Sequence, residues 1–127
     1  LVPALRQEGI GAVAVAFLHA YAMPGHEERV RDILAAEMPG VAISLSSEVC
    51  PEIREYDRTS TTIANVYVRP VIARYMTQLQ HALKAMHVGG SFFIMLSSGG
   101  VCTVDTASRY PIRLIESGPA AGALAAA

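Results

Sequence analysis

Residues able to do chemistry gather in three stretches of this 127-residue chain. The densest runs from Glu48 to Thr62 and includes Glu52, Arg54, Glu55, Tyr56, Asp57, Arg58, Thr59, Ser60, Thr61 and Thr62. Carboxylates, guanidinium groups and hydroxyls at this density can line a polar substrate pocket. They equally suit an exposed loop with ion pairs and a hydroxyl-rich helix cap. The second stretch, Ser97-Ser98-Gly99-Gly100, follows an apolar run. Its glycines allow a close approach and its hydroxyls can bond a phosphate or an amide, although a plain strand-to-loop turn has the same composition. The third, Ser117-Gly118-Pro119-Ala120-Ala121-Gly122, pairs a capping serine with small residues that expose backbone N–H groups to an anion. Tight packing of a small-residue helix is the competing reading.

Several chemistries are not supported. Cys50 and Cys102 stand far apart, so neither a C-x-x-C redox pair nor a local zinc site forms, and both read as free thiols. His19 and His26 flank a turn beside Glu27 and Glu28 at a spacing that fits no standard metal set, which leaves surface and capping roles. No Lys-Ser or Lys-Thr follows the third stretch as a Walker A loop requires, and no serine sits in a G-x-S-x-G elbow.

The elements that must position these stretches follow from periodicity. Val2 to Gln7 reads as the tail of a helix, and Ala12 to Leu18 as a buried strand. From Pro24, apolar residues Val30, Ile33, Leu34 and Met38 repeat at helical spacing, with Glu27 and Glu28 complementing the helix dipole. Pro39-Gly40 ends that helix, and Val41 to Leu45 reads as a second strand. A strand, helix, strand unit implies parallel strands and a right-handed crossover, hence an α/β fold. Ser46 to Asp57 reads as a polar connection. Thr59 to Tyr67 and Pro70 to Met86 follow as two helical segments or one helix kinked at Pro70, with Ile72, Tyr75, Met76, Leu79, Leu83 and Met86 on one face. Ser91 to Ser97 reads as another buried strand, placing Ser98-Gly99-Gly100 at a carboxyl end, where open α/β sheets bind ligands. Thr103 to Arg109 reads as a short helix stopped by Pro111.

Composition narrows the partners. Ten basic against eleven acidic side chains give a formal net charge of −1, without the basic footprint of a nucleic-acid binder. Hydrophobic residues make up 52%, as in globular chains, yet no apolar run approaches the roughly 18 residues of a membrane span. A cytoplasmic protein is expected. Leu1-Val2-Pro3-Ala4 has neither an initiator methionine nor a basic signal-type start, so an internal fragment is expected as well.

Four ordered blocks resemble one family. Ala14 to Ala22 with Pro24 and His26-Glu27 is similar to the segment "avcflhsyanpaHE" of the hydantoinase/oxoprolinase family. Ser44 to Val49, Pro51 to Tyr56 and Arg58 to Thr62 resemble its "SLSSEvlPEIREYeRTSTT" signature. Met95 to Gly100 resembles "mqSNGG", with Ser98 in place of asparagine, and Ser117 to Gly122 resembles "SGPAAG".

The resemblance implies a fragment of an actin-like ATPase architecture of ribonuclease H-like α/β domains. Residues 1–69 would close the family's N-terminal domain and 70–127 would open the hydantoinase A domain. It implies ATP and Mg²⁺ in the full-length enzyme, neither bound to this fragment, because the D-x-G-G-T phosphate loops lie outside it. The implied activity is opening of a cyclic amide such as a hydantoin, N-methylhydantoin or 5-oxoproline, with a hydantoinase B-type subunit or domain as partner. Relatives that carboxylate acetone or other ketones supply an alternative, and a non-catalytic docking module supplies another. Glu52, Arg54, Glu55, Arg58, Thr59, Ser60, Thr61 and Thr62 become candidates for the substrate region or a domain junction. Ser97, Ser98, Gly99, Gly100, Ser117, Gly118 and Gly122 become candidates near the nucleotide phosphates. The isolated fragment is expected to be inactive.

Overall fold

Val13 and Val15 explain the first layer of packing. Side chains alternate along a strand, so these two share one face of β1 (Ala12–Val15), and the parallel register sets them beside Ile43 and Leu45 of β2 (Ala42–Leu45). Leu34 and Met38, at the end of α2 (Gly25–Glu37), meet Val15 and Leu45 to form the buried core. Val2 and Leu5 of α1 (Val2–Gln7) close its side. The opposite face is lined by alanines and Ser44, whose buried hydroxyl accepts from Asn65 Nδ2 at 3.1 Å. Asn65 belongs to the long α4 (Glu55–Ala85), which follows the single-turn α3 (Ser46–Val49). The result is an α/β unit with a crossover helix joining parallel strands, as the sequence predicts.

The computed structural model describes residues 1–126 and divides them into two compact units, Leu1–Tyr67 and the residues from Val68 onward. In the second unit β3 (Phe93–Met95) pairs antiparallel with β4 (Val101–Thr103), placing Ile94 opposite Cys102. Then come α5 (Val104–Arg109), a 3-10 turn (Pro111–Leu114) and α6 (Ser117–Ala125). The Thr103 hydroxyl caps α5 by accepting from Thr106 N at 3.3 Å.

Three expectations change, and the choice left open at Pro70 is settled. The strand expected over Ala12 to Leu18 stops at Val15, because β2 ends at Leu45 and offers Ala16 onward no partner; Phe17 is 43% and Leu18 77% exposed. The stretch expected to be a polar connection from Ser46 to Asp57 contains a helical turn, and α4 begins at Glu55. That helix runs on through Pro70, tolerating one missing N–H over 31 residues. The strand expected over Ser91 to Ser97 shrinks to three residues of a hairpin, so Ser97 to Gly100 forms a hairpin turn and not the carboxyl edge of a parallel sheet. Gly99 makes that turn at φ +85 while Leu96 N donates to Gly100 O at 2.8 Å.

Leu45 is 1% exposed at the centre of the first core. Leu45→Ala is expected to lower unfolding free energy by about 2–5 kcal/mol, whereas Leu18→Ala stays within about 0.5 kcal/mol. Urea denaturation of the two variants measures the contrast.

Candidate functional site

The first polar stretch folds around a carboxylate that the sequence reading placed at a helix end. Glu27 lies in the first turn of α2, where it was expected to complement the dipole, yet it is fully buried. Its Oε1 accepts from Phe17 N at 2.9 Å and from the Ser46 hydroxyl at 2.6 Å. Its Oε2 accepts from Ser47 N at 2.9 Å and the Ser47 hydroxyl at 2.8 Å. Burial raises the Glu27 pKa, but donation from Ser46, Ser47 and Phe17 together outweighs it and holds the carboxyl below its ordinary range.

Arg58 is the matching cation, also fully buried. Its Nε donates to the Ser46 hydroxyl at 3.1 Å, its Nη1 to Glu52 O at 2.6 Å and its Nη2 to Phe17 O at 3.0 Å. The guanidinium also lies 5.7 Å from the centre of the Tyr21 ring, and Tyr21 stands 6.1 Å from the His19 ring. Ser46 therefore donates to one buried charge and accepts from the other. Thr62, buried one turn along α4, donates to Arg58 O at 2.7 Å.

The remaining residues of this group divide by exposure. Glu52, Arg54, Glu55 and Ser60 are exposed, while Thr59 and Thr61 are half-buried. Arg54 Nη1 stands 3.7 Å from Asp57 Oδ2, and Glu55 Oε1 stands 3.9 Å from Arg58 Nη2. Ser60 donates to backbone carbonyls of its own helix at Tyr56 and Asp57. Glu52, Arg54, Glu55 and Ser60 thus face solvent, Thr59 and Thr61 do so in part, and Arg58 and Thr62 have no surface to offer a ligand.

In the second unit the first small-residue motif approaches α6 just past the second motif. A side chain at Gly99 would touch Leu124 Cδ1 of α6 at 3.4 Å. Ser97 is fastened by its N–H and its hydroxyl, each donating to Arg113 O at 2.9 Å. Ser98 and Gly100 lie exposed beside that turn. Ser117 was expected to cap; it is instead the first residue of α6, and Glu116 takes the cap position in the left-handed region at φ 66 without a side-chain cap bond. Gly118 and Gly122 face open space, so close packing among the described residues does not require them to be small.

Burial pushes both thiols up, Cys50 with added repulsion from Glu52, so each stays protonated at neutral pH. Among the described residues no three His, Cys, Asp or Glu side chains gather as a metal site. Glu27, Ser46 and Ser47 were missed as site residues because no spacing rule separates a carboxylate that complements a dipole from one that is buried. Two serines directly after an apolar strand were the available signal.

The fold and this site define an α/β protein with a polar clamp at the carboxyl ends of its parallel strands. Residues 58–127 match the hydantoinase/oxoprolinase family, and residues 1–38 match the hydantoinase/oxoprolinase N-terminal region. The chain belongs to the hydantoinase/oxoprolinase family. It is 33% identical over 115 residues to the caprolactamase subunit alpha of Pseudomonas jessenii, covering 91% of this chain and 16% of that protein. It is 36% identical over 125 residues to the 5-oxoprolinase of Saccharomyces cerevisiae, covering 98% and 9%. The crystal structure of an ATP-dependent caprolactamase from Pseudomonas jessenii superposes with a TM-score of 0.81 at 30% identity, over 94% of this chain and 17% of that one. A nucleotide-free acetone carboxylase structure gives 0.80 at 26% identity, over 98% and 18%. The chain thus spans between 9% and 18% of the length of these relatives.

A carboxyl whose folded pKa is depressed contributes stability above its unfolded pKa, near 4.5, and loses it as pH falls through the folded value. The stability difference between the native chain and Glu27→Gln is therefore expected to be full at pH 7 and to shrink progressively below that range. Urea midpoints of both proteins across acidic pH measure it.

Proposed function

We propose that this chain is part of an ATP-dependent enzyme that opens a cyclic amide of the hydantoin or 5-oxoproline type, with its Glu52 to Thr62 stretch on the substrate side. The observation that carries the reading is the placement of exposed Arg54 and Glu55 directly above a buried clamp at the carboxyl ends of β1 and β2. Ligands of open α/β sheets bind at such ends. The chemistry is consistent with the family. An amide carbonyl is a poor electrophile, and transfer of the γ-phosphoryl of ATP to its oxygen, with ADP departing, lets water add to the carbon; the ring C–N bond then breaks with the nitrogen leaving as the amine, and a second water releases phosphate from the acyl phosphate. Mg²⁺ would be held by residues outside this chain. Ser97 to Gly100, which approaches α6 at Leu124, and Ser117 to Gly122 are the candidates on the nucleotide side.

A second reading makes the stretch a docking face for a hydantoinase B-type subunit. It is favoured by the outward side of the start of α4, where Tyr56, Ile63 and Tyr67 are 83%, 53% and 80% exposed at helical spacing with no charge among them. The caprolactamase relative is itself named as a subunit.

In the full-length protein, Arg54→Ala is expected to lower kcat/KM for amide-dependent ATP hydrolysis by about tenfold or more, with the subunit complex intact on gel filtration. Loss of the complex on Tyr67→Glu with KM unchanged in Arg54→Ala would favour docking. ATP use that depends on bicarbonate and a ketone would move the protein to the carboxylase branch. Arg58→Ala cannot separate these readings, because it strands Glu27 as a buried, uncompensated charge.

A further inference from the structure

Two arginines four residues apart have opposite environments. The Arg54 side chain is 79% exposed and that of Arg58 is 1% exposed. Arg58 commits donors from all three of its nitrogens, to Ser46, Glu52 and Phe17. Phe17 is held twice, its N–H by Glu27 and its carbonyl by Arg58, so side chains from α2 and α4 grip one residue just past the end of β1. Glu27 and Arg58 do not touch; the Ser46 hydroxyl, just past β2, joins them.

The residues so fastened are those that leave the two parallel strands. Pro51 to Arg54 has no helix or strand of its own, and Arg58 holds it at the Glu52 carbonyl. At its far end Arg58 N donates to Arg54 O at 3.0 Å, which fixes the entry into α4. A guanidinium is a rigid planar fork with donors on three nitrogens, and an ammonium, whose donors all sit on one atom, cannot span acceptors placed around that fork.

We propose that Glu27 and Arg58, joined through the Ser46 hydroxyl, are positioning residues that fix the Glu52–Glu55 loop against the carboxyl ends of β1 and β2 and so set where Arg54 and Glu55 stand. The proposal rests on the reading of that loop as the substrate side. Neither buried residue meets the ligand; both act through the loop backbone.

The test uses Ser46→Ala and Arg58→Lys in the full-length protein, two variants that keep a charge at both ends and break only the joint or the fork. Amide hydrogen exchange at residues 52–55 is expected to rise on the order of tenfold, while amides of Val13–Val15 and Ala42–Leu45 keep their rates. KM for a cyclic amide is expected to rise on the order of tenfold, with kcat within about twofold of the native enzyme. Unchanged loop exchange in both variants, or an equal rise throughout Leu1–Tyr67, would overturn the proposal, the second outcome meaning simple loss of stability. Faster loop exchange with an unchanged KM would overturn the positioning role in catalysis while leaving the clamp. Should the native protein show no amide-dependent turnover, the proposed function falls and the exchange rates still decide the clamp.

Discussion

Two opposite charges withdrawn from water, sharing one serine hydroxyl, set the constraint on which the first unit depends. An ionised carboxylate or guanidinium in a low-dielectric interior is tolerated only when its hydrogen-bonding capacity is filled. Glu27 fills its four acceptor sites with two backbone amides and two hydroxyls, and Arg58 spends donors on two carbonyls and the shared hydroxyl. Meeting those demands fixes the rest. The chain must bring the end of β1, the start of α2, the end of β2 and the start of α4 to one point, which is a description of the strand, helix, strand fold itself. The apolar layer of Val15, Leu34, Met38 and Leu45 supplies much of the burial on one side of the strands; the clamp determines how they end.

The strand ends show how far sequence reasoning reached. Short apolar runs identified β1 and β2, and Pro39-Gly40 marked the turn between α2 and β2, because those signals are local. The premature end of β1 was not legible. Ala16, Phe17 and Leu18 are as apolar as the residues before them, and what ends the ladder is the capture of the Phe17 peptide groups by side chains 10 and 41 residues away. The α4 helix was legible as helix, but local signals did not decide between two segments and one helix through Pro70, and the structure has the single helix.

The polar stretch followed the same division. Its density of charges and hydroxyls was visible, and so was its placement after the second strand. Helical phase then sorts the residues: Arg58, Thr62 and Asn65 turn inward at offsets of four and seven, and Tyr56, Ser60, Ile63 and Tyr67 turn outward. The sequence reading treated the stretch as one candidate surface because the start of α4 was set four residues late, and helical phase is meaningless before a helix is assigned. In the second unit, the hairpin was hidden by a three-residue strand too short to show a period, while the proximity of Gly99 to Leu124 is a tertiary fact that no local pattern carries.

The shared hydroxyl at Ser46 has an evolutionary corollary. Loss of either buried charge alone strands the other at a depth where about 3–5 kcal/mol is at stake, whereas joint replacement by apolar side chains of similar volume is often tolerated. Positions 27 and 58, on different helices and not in contact, are therefore under a shared constraint, and lineages that keep one are expected to keep the other.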